Sequence, residues 1–190
     1  MRCKLFTKVG ESKKHFPLLW ITLRSHKRIW LSQIEGIANI IKELYKDYRN
    51  LGVIFDGFST EKNILEKIQN LIPVNIKTYN ALDCAIYETI LWSHAIDLFI
   101  TPYGAGLIFP CHIANQPGVV HTHSIWNKPT PYCLHPRENC VPIVPVPSVD
   151  SLDSAYSRVI DRNYDVDWKA IYNEVVKIIE KLNEERIVTN

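Results

Sequence analysis

Short runs of β-branched and aromatic residues alternate along this chain with longer stretches that carry an apolar stripe at helical spacing, and that alternation restricts the fold more than any other feature. Leu18-Leu-Trp-Ile-Thr-Leu-Arg24 is almost wholly apolar up to its end, as expected of a strand buried on both faces. After the polar cluster Arg24 to Arg28, residues Ile34, Ile37, Ala38, Ile41, Leu44, Tyr45 and Tyr48 fall on one stripe and predict a helix. Leu51 to Phe55 predicts a second strand, closed by Asp56-Gly57. Ser59 or Thr60 is placed to cap the next helix, with Ile64, Leu65, Ile68, Leu71 and Ile72 inward and Pro73 at its end. Val74 to Tyr79 predicts a third strand. Asn80 is then a cap for a helix over 81–95, with Leu82, Ala85, Ile86, Ile90 and Leu91 inward. Ile96 to Thr101 predicts a fourth strand, Tyr103 to Gly106 a tight turn, Leu107 to Ala114 a short helix, and Gly118 to Thr122 a fifth strand.

Strands separated by helices of this length predict a parallel sheet, because parallel neighbours need a crossover and right-handed crossovers cover both faces. The expected fold class is therefore α/β, a Rossmann-like doubly wound parallel sheet. The chain has 190 residues, which suits one domain of this kind. Its core is expected over 18–125. A Pro-rich extended segment over 126–149 follows, and then a C-terminal helix over 167–186 capped by Asp167, with Trp168, Ile171, Tyr172, Val175, Ile178, Ile179 and Leu182 inward. That helix is expected to pack back on the sheet rather than cross to a second domain.

The net charge is only +2, so no bulk field points to nucleic acid or to a membrane surface, and an anion site has to be local. No apolar run approaches the roughly 20 residues that span a bilayer, and residues 1–14 lack the apolar stretch of a signal peptide. Five cysteines, an odd number at irregular spacing, are expected to be reduced thiols in a cytoplasmic protein.

In an open parallel sheet, ligands sit beyond the carboxyl ends of the strands. Those ends here carry Arg24-Ser-His-Lys-Arg28, Asp56-Gly57-Phe58, Thr78-Tyr79-Asn80, Thr101 to Gly106 and His121-Thr-His123, a rim of cations, glycines and aromatics suited to a phosphorylated ligand. Arg24, Lys27 and Arg28 precede a helix start, where arginine forks and free amides both favour phosphate; a solvated basic turn is the plainer alternative. Gly104 and Gly106 permit close backbone approach, although turn geometry alone also selects glycine. No G-x-G-x-x-G follows the first strand, which disfavours an ordinary NAD site, and there is no P-loop or G-x-S-x-G elbow. His121 and His123 share a strand face. Zinc with Cys133, His135 or Cys140 matches no standard spacing, so no metal is expected. Asp56 could bind a hydroxyl or cap the following turn. For Glu88 the plain reading is an exposed helical carboxylate.

Three stretches together resemble glycosyltransferase family 61: Ile21 to Arg28 before a helix, Tyr87 to Leu107 ending in Thr-Pro-Tyr-Gly-Ala-Gly-Leu, and Tyr164-Asp-Val-Asp-Trp168 before the last helix. The resemblance covers residues 18–125 well and the tail loosely. It implies a two-domain GT-B architecture of which this chain is the C-terminal, donor-binding half, the acceptor domain lying elsewhere in a longer enzyme or on a partner chain. It further implies that Arg24 and Arg28, helped by Lys27, hold the diphosphate of a nucleotide sugar. Gly104, Ala105 and Gly106 would face the phosphates or the sugar, Thr78, Tyr79 and Asn80 the base or ribose, and Glu88 would tie its helix to the site. Tyr103 stands where the family has a histidine, and a phenol is a poor base near neutrality. The implied activity is metal-independent transfer of a sugar to an acceptor hydroxyl on a glycan or protein with inversion, as in polysaccharide biosynthesis. The donor is a substrate, so no cofactor is required, and the catalytic base is unassigned. A heptosyltransferase-like enzyme of family 9 also fits a Gly-containing turn followed by a His-containing helix, as in Gly104 to Ala114. A non-catalytic domain that binds a nucleotide sugar, glycan or protein is the remaining alternative.

Overall fold

A computed structural model describes residues 2–123, 143–146, 148–150 and 161–188. A helix α1 (Arg2–Ser12) precedes strand β1 (Leu18–Thr22), helix α2 (Gln33–Asp47), strand β2 (Gly52–Gly57), helix α3 (Lys62–Leu71), strand β3 (Lys77–Leu82), helix α4 (Ile86–Ser93) and strand β4 (Leu98–Pro102). A 3-10 turn (Ala105–Leu107) and a π-helical turn (Ile108–Ile113) lead into β5 (Gly118–His121). Strand β6 (Ile143–Val146), the short antiparallel pair β7 (Val149–Asp150) and β8 (Tyr164–Asp165), and helix α5 (Trp168–Val188) complete the described chain.

The main sheet has six strands in the order β3-β2-β1-β4-β5-β6, every pair parallel. That is the α/β doubly wound fold expected from the alternation, with its order reversing between β1 and β4. Alternate residues of β1 feed two cores. Leu19 and Ile21 pack with α2, α3 and α5, through Ile37, Ile41, Leu65, Ile171 and Val175. Leu18 and Trp20 pack on the other face with Val9 of α1, Trp92 of α4, and Leu107 and Cys111. A strand sandwiched in this way cannot show polar alternation, which is why β1 reads as a continuous apolar run.

Several expected boundaries move. The third strand is Lys77–Leu82, three residues later than its sequence suggests. Pro73 to Ile76 form a turn closed by Ile76 N–H on the Pro73 carbonyl, and Val74 is fully exposed. Asn80 is therefore not a helix cap; it lies inside the strand, where its Oδ1 accepts the Leu82 N–H at 2.9 Å. Helix α4 starts only at Ile86 and buries Thr89, Trp92 and Ser93, whereas Ile86, expected inward, is 71% exposed. Neither Ser59 nor Thr60 caps α3; the turn before it is organised by Glu61, described below.

The Pro-rich segment over 126–149 lies largely outside the described residues, as do Cys133, His135 and Cys140. Within it, 143–146 add β6 at the sheet edge, a position where proline is tolerated in a strand. Asp167 does cap α5, its Oδ1 accepting the Lys169 N–H at 3.0 Å. That helix returns to the sheet and α2 through buried Ile171, Val175 and Ile179.

Candidate functional site

A groove of about 580 Å³ lies at the carboxyl ends of β1, β2 and β4, beside the point where the strand order reverses. Arg24, His26, Lys27 and Arg28 form one wall; Ala105 and Gly106 come from the turn after β4; Leu23, Phe58, Ile86 and Phe109 supply an apolar side; Asp56 and Glu61 reach in from the β2 end. The two stretches flagged in the sequence, the basic turn and the glycine turn, thus meet. A Cβ added to Gly104 would sit 3.3 Å from Arg28 Nη1, so the guanidinium lies directly against that backbone.

Gly104 adopts φ 120°, where side chains are rarely tolerated. Gly104→Ala should therefore both strain the turn and push Arg28 aside. The expected outcome is a stability loss of about 1–2 kcal/mol in urea denaturation. Any anion bound at Arg28 is expected to weaken by roughly tenfold in direct titration, the equivalent of half a charge-assisted hydrogen bond.

The basic turn is shaped by neighbours remote in sequence. Gln33 clamps the Arg24 backbone, its Nε2 donating to the Arg24 carbonyl at 2.8 Å. Arg28 has φ 60° and donates its N–H to the Asp161 carbonyl at 3.1 Å. Ile29 N–H donates to Asn163 Oδ1, and Tyr164 N–H to the Ile29 carbonyl, both at 3.0 Å. Among the described residues neither Arg24 nor Arg28 is in an ion pair, whereas Lys27 pairs with Asp161 at 3.1 Å. Arg28 Nε is buried without a hydrogen-bond partner among the described residues. Burial, and then the Arg28 charge, hold the Arg24 pKa below its ordinary value. Two half-buried cations that repel each other, one with an orphaned donor, form a site that gains from an anion.

Behind them, His121 is buried against Trp30 and bonded through Nδ1 to the Tyr164 hydroxyl at 2.8 Å. Burial, reinforced by Arg24, drives the His121 pKa down to about 3, so the ring is a neutral support near pH 7. Burial likewise pushes the Tyr164 phenol upward. His123 is also buried.

Two carboxylates behave differently. Glu61 is 1% exposed and accepts three donors: Ser25 N–H at 2.9 Å, Ser25 Oγ at 2.5 Å and Phe58 N–H at 2.6 Å. It ties the loops after β1 and β2 together. Asp56 accepts the Thr22 hydroxyl at 3.1 Å. Trp20 Nε1 donates to the same Thr22 Oγ1 at 3.0 Å, so the hydroxyl accepts from the indole and donates its own proton to the carboxylate. Burial raises the Asp56 pKa to about 6. Asp56 also lines the groove.

The other sequence candidates sit elsewhere. Because β3 runs to Leu82, the strand end at the rim is Asp83 and Cys84, and Thr78, Tyr79 and Asn80 lie back from it. Thr78 accepts Gln69 Nε2 at 2.9 Å, and Tyr79 is buried against Trp92. Glu88 is not part of the groove lining; its Oε2 accepts the Ala85 N–H at 3.0 Å and caps α4. Tyr103 packs against the core beside α4 and donates its backbone N–H to the His121 carbonyl. Of the apolar lining, Phe58 was placed on the rim by the sequence, whereas Ile86 and Phe109 were not. Phe58 and Ile86 are 70% and 71% exposed, and that exposure is a property of the folded molecule that no local sequence pattern carries.

The sequence matches no protein-family model and no curated protein. The fold is nonetheless similar to that of solved structures. A glycosyl transferase family 9 protein from Veillonella parvula superposes with a TM-score of 0.61 at 10% identity, over 94% of this chain and 52% of that one. ADP-heptose lps heptosyltransferase II from E. coli gives a TM-score of 0.62 at 12% identity, over 94% and 52%. A Listeria monocytogenes protein described as a UDP-N-acetylglucosamine 2-epimerase gives 0.58 at 10% identity, over 92% and 39%. This chain thus spans about half the length of the two transferases, and at these identities what is shared is the fold. Among the described residues no helix is long and apolar enough to cross a membrane.

Proposed function

We propose that this chain is the donor-binding half of a glycosyltransferase that moves a sugar from a nucleoside diphosphate to an acceptor hydroxyl. The observation that carries the reading is the meeting of Arg24 and Arg28 with the Gly104–Gly106 turn at the reversal point of the sheet. Arginine forks and backbone approach at one place suit a diphosphate. The apolar side formed by Phe58, Ile86 and Phe109 suits a nucleobase, and Asp56, which also lines the groove, suits a ribose hydroxyl. The structural neighbours named for ADP-heptose and UDP-N-acetylglucosamine support a nucleotide-sugar ligand in a fold of this kind.

In this reading the bond from the sugar C1 to the diphosphate oxygen breaks, with its electron pair leaving on the phosphate. The acceptor oxygen forms the new bond to C1 from the opposite face, inverting the centre, and gives its proton to a base. Arg24 and Arg28 stabilise the charge that grows on the departing diphosphate, the task a metal performs in other transferases. The base and the acceptor site we place on a second domain or partner chain facing the groove. Among the described residues Cys84 and Cys111 form no disulfide, which fits a reducing, cytoplasmic compartment.

Calorimetric titration with UDP, GDP, ADP and CMP tests this. At least one diphosphate should bind more tightly than the monophosphate CMP. Absence of binding by every nucleotide and nucleotide sugar at millimolar concentration would overturn the reading. The resemblance to family 61 rests on sequence, while one structural neighbour is named for glycosyl transferase family 9 and another as an ADP-heptose heptosyltransferase. A clear preference for ADP over UDP would favour the second of these. Tight binding of a nucleotide sugar with no transfer to any acceptor, partner chains included, would favour a non-catalytic binding domain.

A further inference from the structure

We propose that Asp161 is a positioning residue that serves the cation cluster as a built-in counter-anion, holding Lys27 until the phosphate of a ligand replaces it. This rests on the groove being a phosphate site. Of the three cations on that wall, Arg24 and Arg28 have no ion-pair partner among the described residues, and only Lys27 is neutralised, by Asp161 Oδ1 at 3.1 Å. The Asp161 backbone does a separate job, since its carbonyl accepts the Arg28 N–H and helps hold Arg28 at φ 60°. Asn163 and Tyr164 secure the same turn through Ile29 and Leu31. The shape of the turn is therefore maintained by backbone and Asn163 contacts, and among the described residues the Asp161 carboxylate pairs with Lys27.

The lysine side chain is 50% exposed and the aspartate 18%. An ion pair at that exposure is weak, and lysine is a mobile point charge on a flexible stem, so exchange onto an incoming phosphate is easy. In the empty groove the pair lowers the repulsion felt by Arg24 and Arg28. In the occupied groove the carboxylate competes with the ligand's phosphate for Lys27, and that competition limits how tightly an anion is held.

The test is direct titration of inorganic pyrophosphate into the wild type, Asp161→Asn and Asp161→Ser, each first shown by thermal melting to be folded. Both variants keep the backbone carbonyl and remove the charge. They are expected to bind pyrophosphate about three- to tenfold more tightly, the scale of one screened charge at contact distance. The gain should shrink at high ionic strength and vanish when Lys27→Met is present in both members of the comparison. A purely structural role for Asp161 would instead weaken binding in both variants. Equal or weaker binding by the variants, or a gain that survives Lys27→Met, overturns the proposal. If wild type binds nucleoside diphosphates and the variants bind no tighter, only the role of Asp161 fails. If pyrophosphate behaves as expected while no nucleotide binds better than pyrophosphate, the role of Asp161 stands and the nucleotide-sugar reading fails. Absence of pyrophosphate binding throughout overturns both.

Discussion

Replacing Arg24 and Arg28 together by alanine is expected to weaken nucleoside-diphosphate binding by at least about a hundredfold while leaving the protein folded. Hydrogen bonds to charged groups are worth about 1.5–3 kcal/mol each. Two lost guanidinium contacts therefore remove about 3–6 kcal/mol, which is a factor of a hundred to ten thousand at about 1.4 kcal/mol per decade. Stability should not fall in parallel. Burial and mutual repulsion already disfavour the charge on Arg24, and Arg28 Nε is buried without a partner among the described residues. Removing both cations relieves an unfavourable arrangement, so the melting temperature is expected to hold or rise. Calorimetry and thermal melting on the same samples check both halves. Arginines that served only as a solvated basic turn would leave diphosphate binding unchanged when removed, and that result would sink the site assignment.

Asp56→Asn is expected to stabilise the protein at neutral pH and leave it unchanged in acid. Burial lifts the Asp56 pKa from its ordinary 3.8 to about 6. Between those values the folded state keeps a proton that the unfolded chain has released, so this group's contribution falls as pH rises through the window and is constant above it. Each pH unit of that window is worth about 1.4 kcal/mol, which sets a ceiling of about 3 kcal/mol. His121 acts in the opposite sense. Its pKa, lowered to about 3, means that the unfolded chain gains a proton the folded state refuses, so stability is lost as pH drops below the ordinary 6.5. The two slopes oppose each other in the wild type, and its own pH profile hides Asp56.

The difference between Asp56→Asn and wild type isolates Asp56. It should be near zero at about pH 4 and reach about 1–3 kcal/mol in favour of the variant at about pH 7. An asparagine oxygen can still accept the Thr22 hydroxyl, so the fold loses nothing there. Urea denaturation across pH gives the measurement, and a variant less stable than wild type at neutral pH would contradict it. The same variant should bind nucleotides at least severalfold more weakly, because a carboxylate kept at a cost to stability is expected to contribute to a ligand.

What was legible in the sequence follows from periodicity and local chemistry. The apolar run Leu18 to Leu23 and the striped helix after it are local patterns, and both formed as expected. Asp167 before an apolar helical stripe is a local cap signal, and it caps α5. The third strand misled because Val74 to Tyr79 mixes apolar and β-branched residues, while Asn80 and Ala81 look like a cap and a helix start. Pairing with β2 from Gly52↔Lys77 to Gly57↔Leu82 outweighed those weak preferences and drew Asn80 and Ala81 into the sheet. That shift moved Thr78, Tyr79 and Asn80 away from the rim and left Asp83 and Cys84 there instead.

The sequence by itself determined that strands and helices alternate, that both faces of the sheet are covered, and that a basic turn and a glycine turn each follow a buried strand. Those properties depend on residues within a few positions of one another, where backbone sterics and hydrophobic period act. Only the tertiary structure decided that the two turns touch, because that depends on β1 lying beside β4 with β2 on its other edge. It also decided that Asp161, Asn163 and Tyr164, more than a hundred positions further along, would shape the arginine turn. Neutral support from His121 and the raised Asp56 pKa arise from burial, a property of the assembled molecule that no single stretch of residues contains.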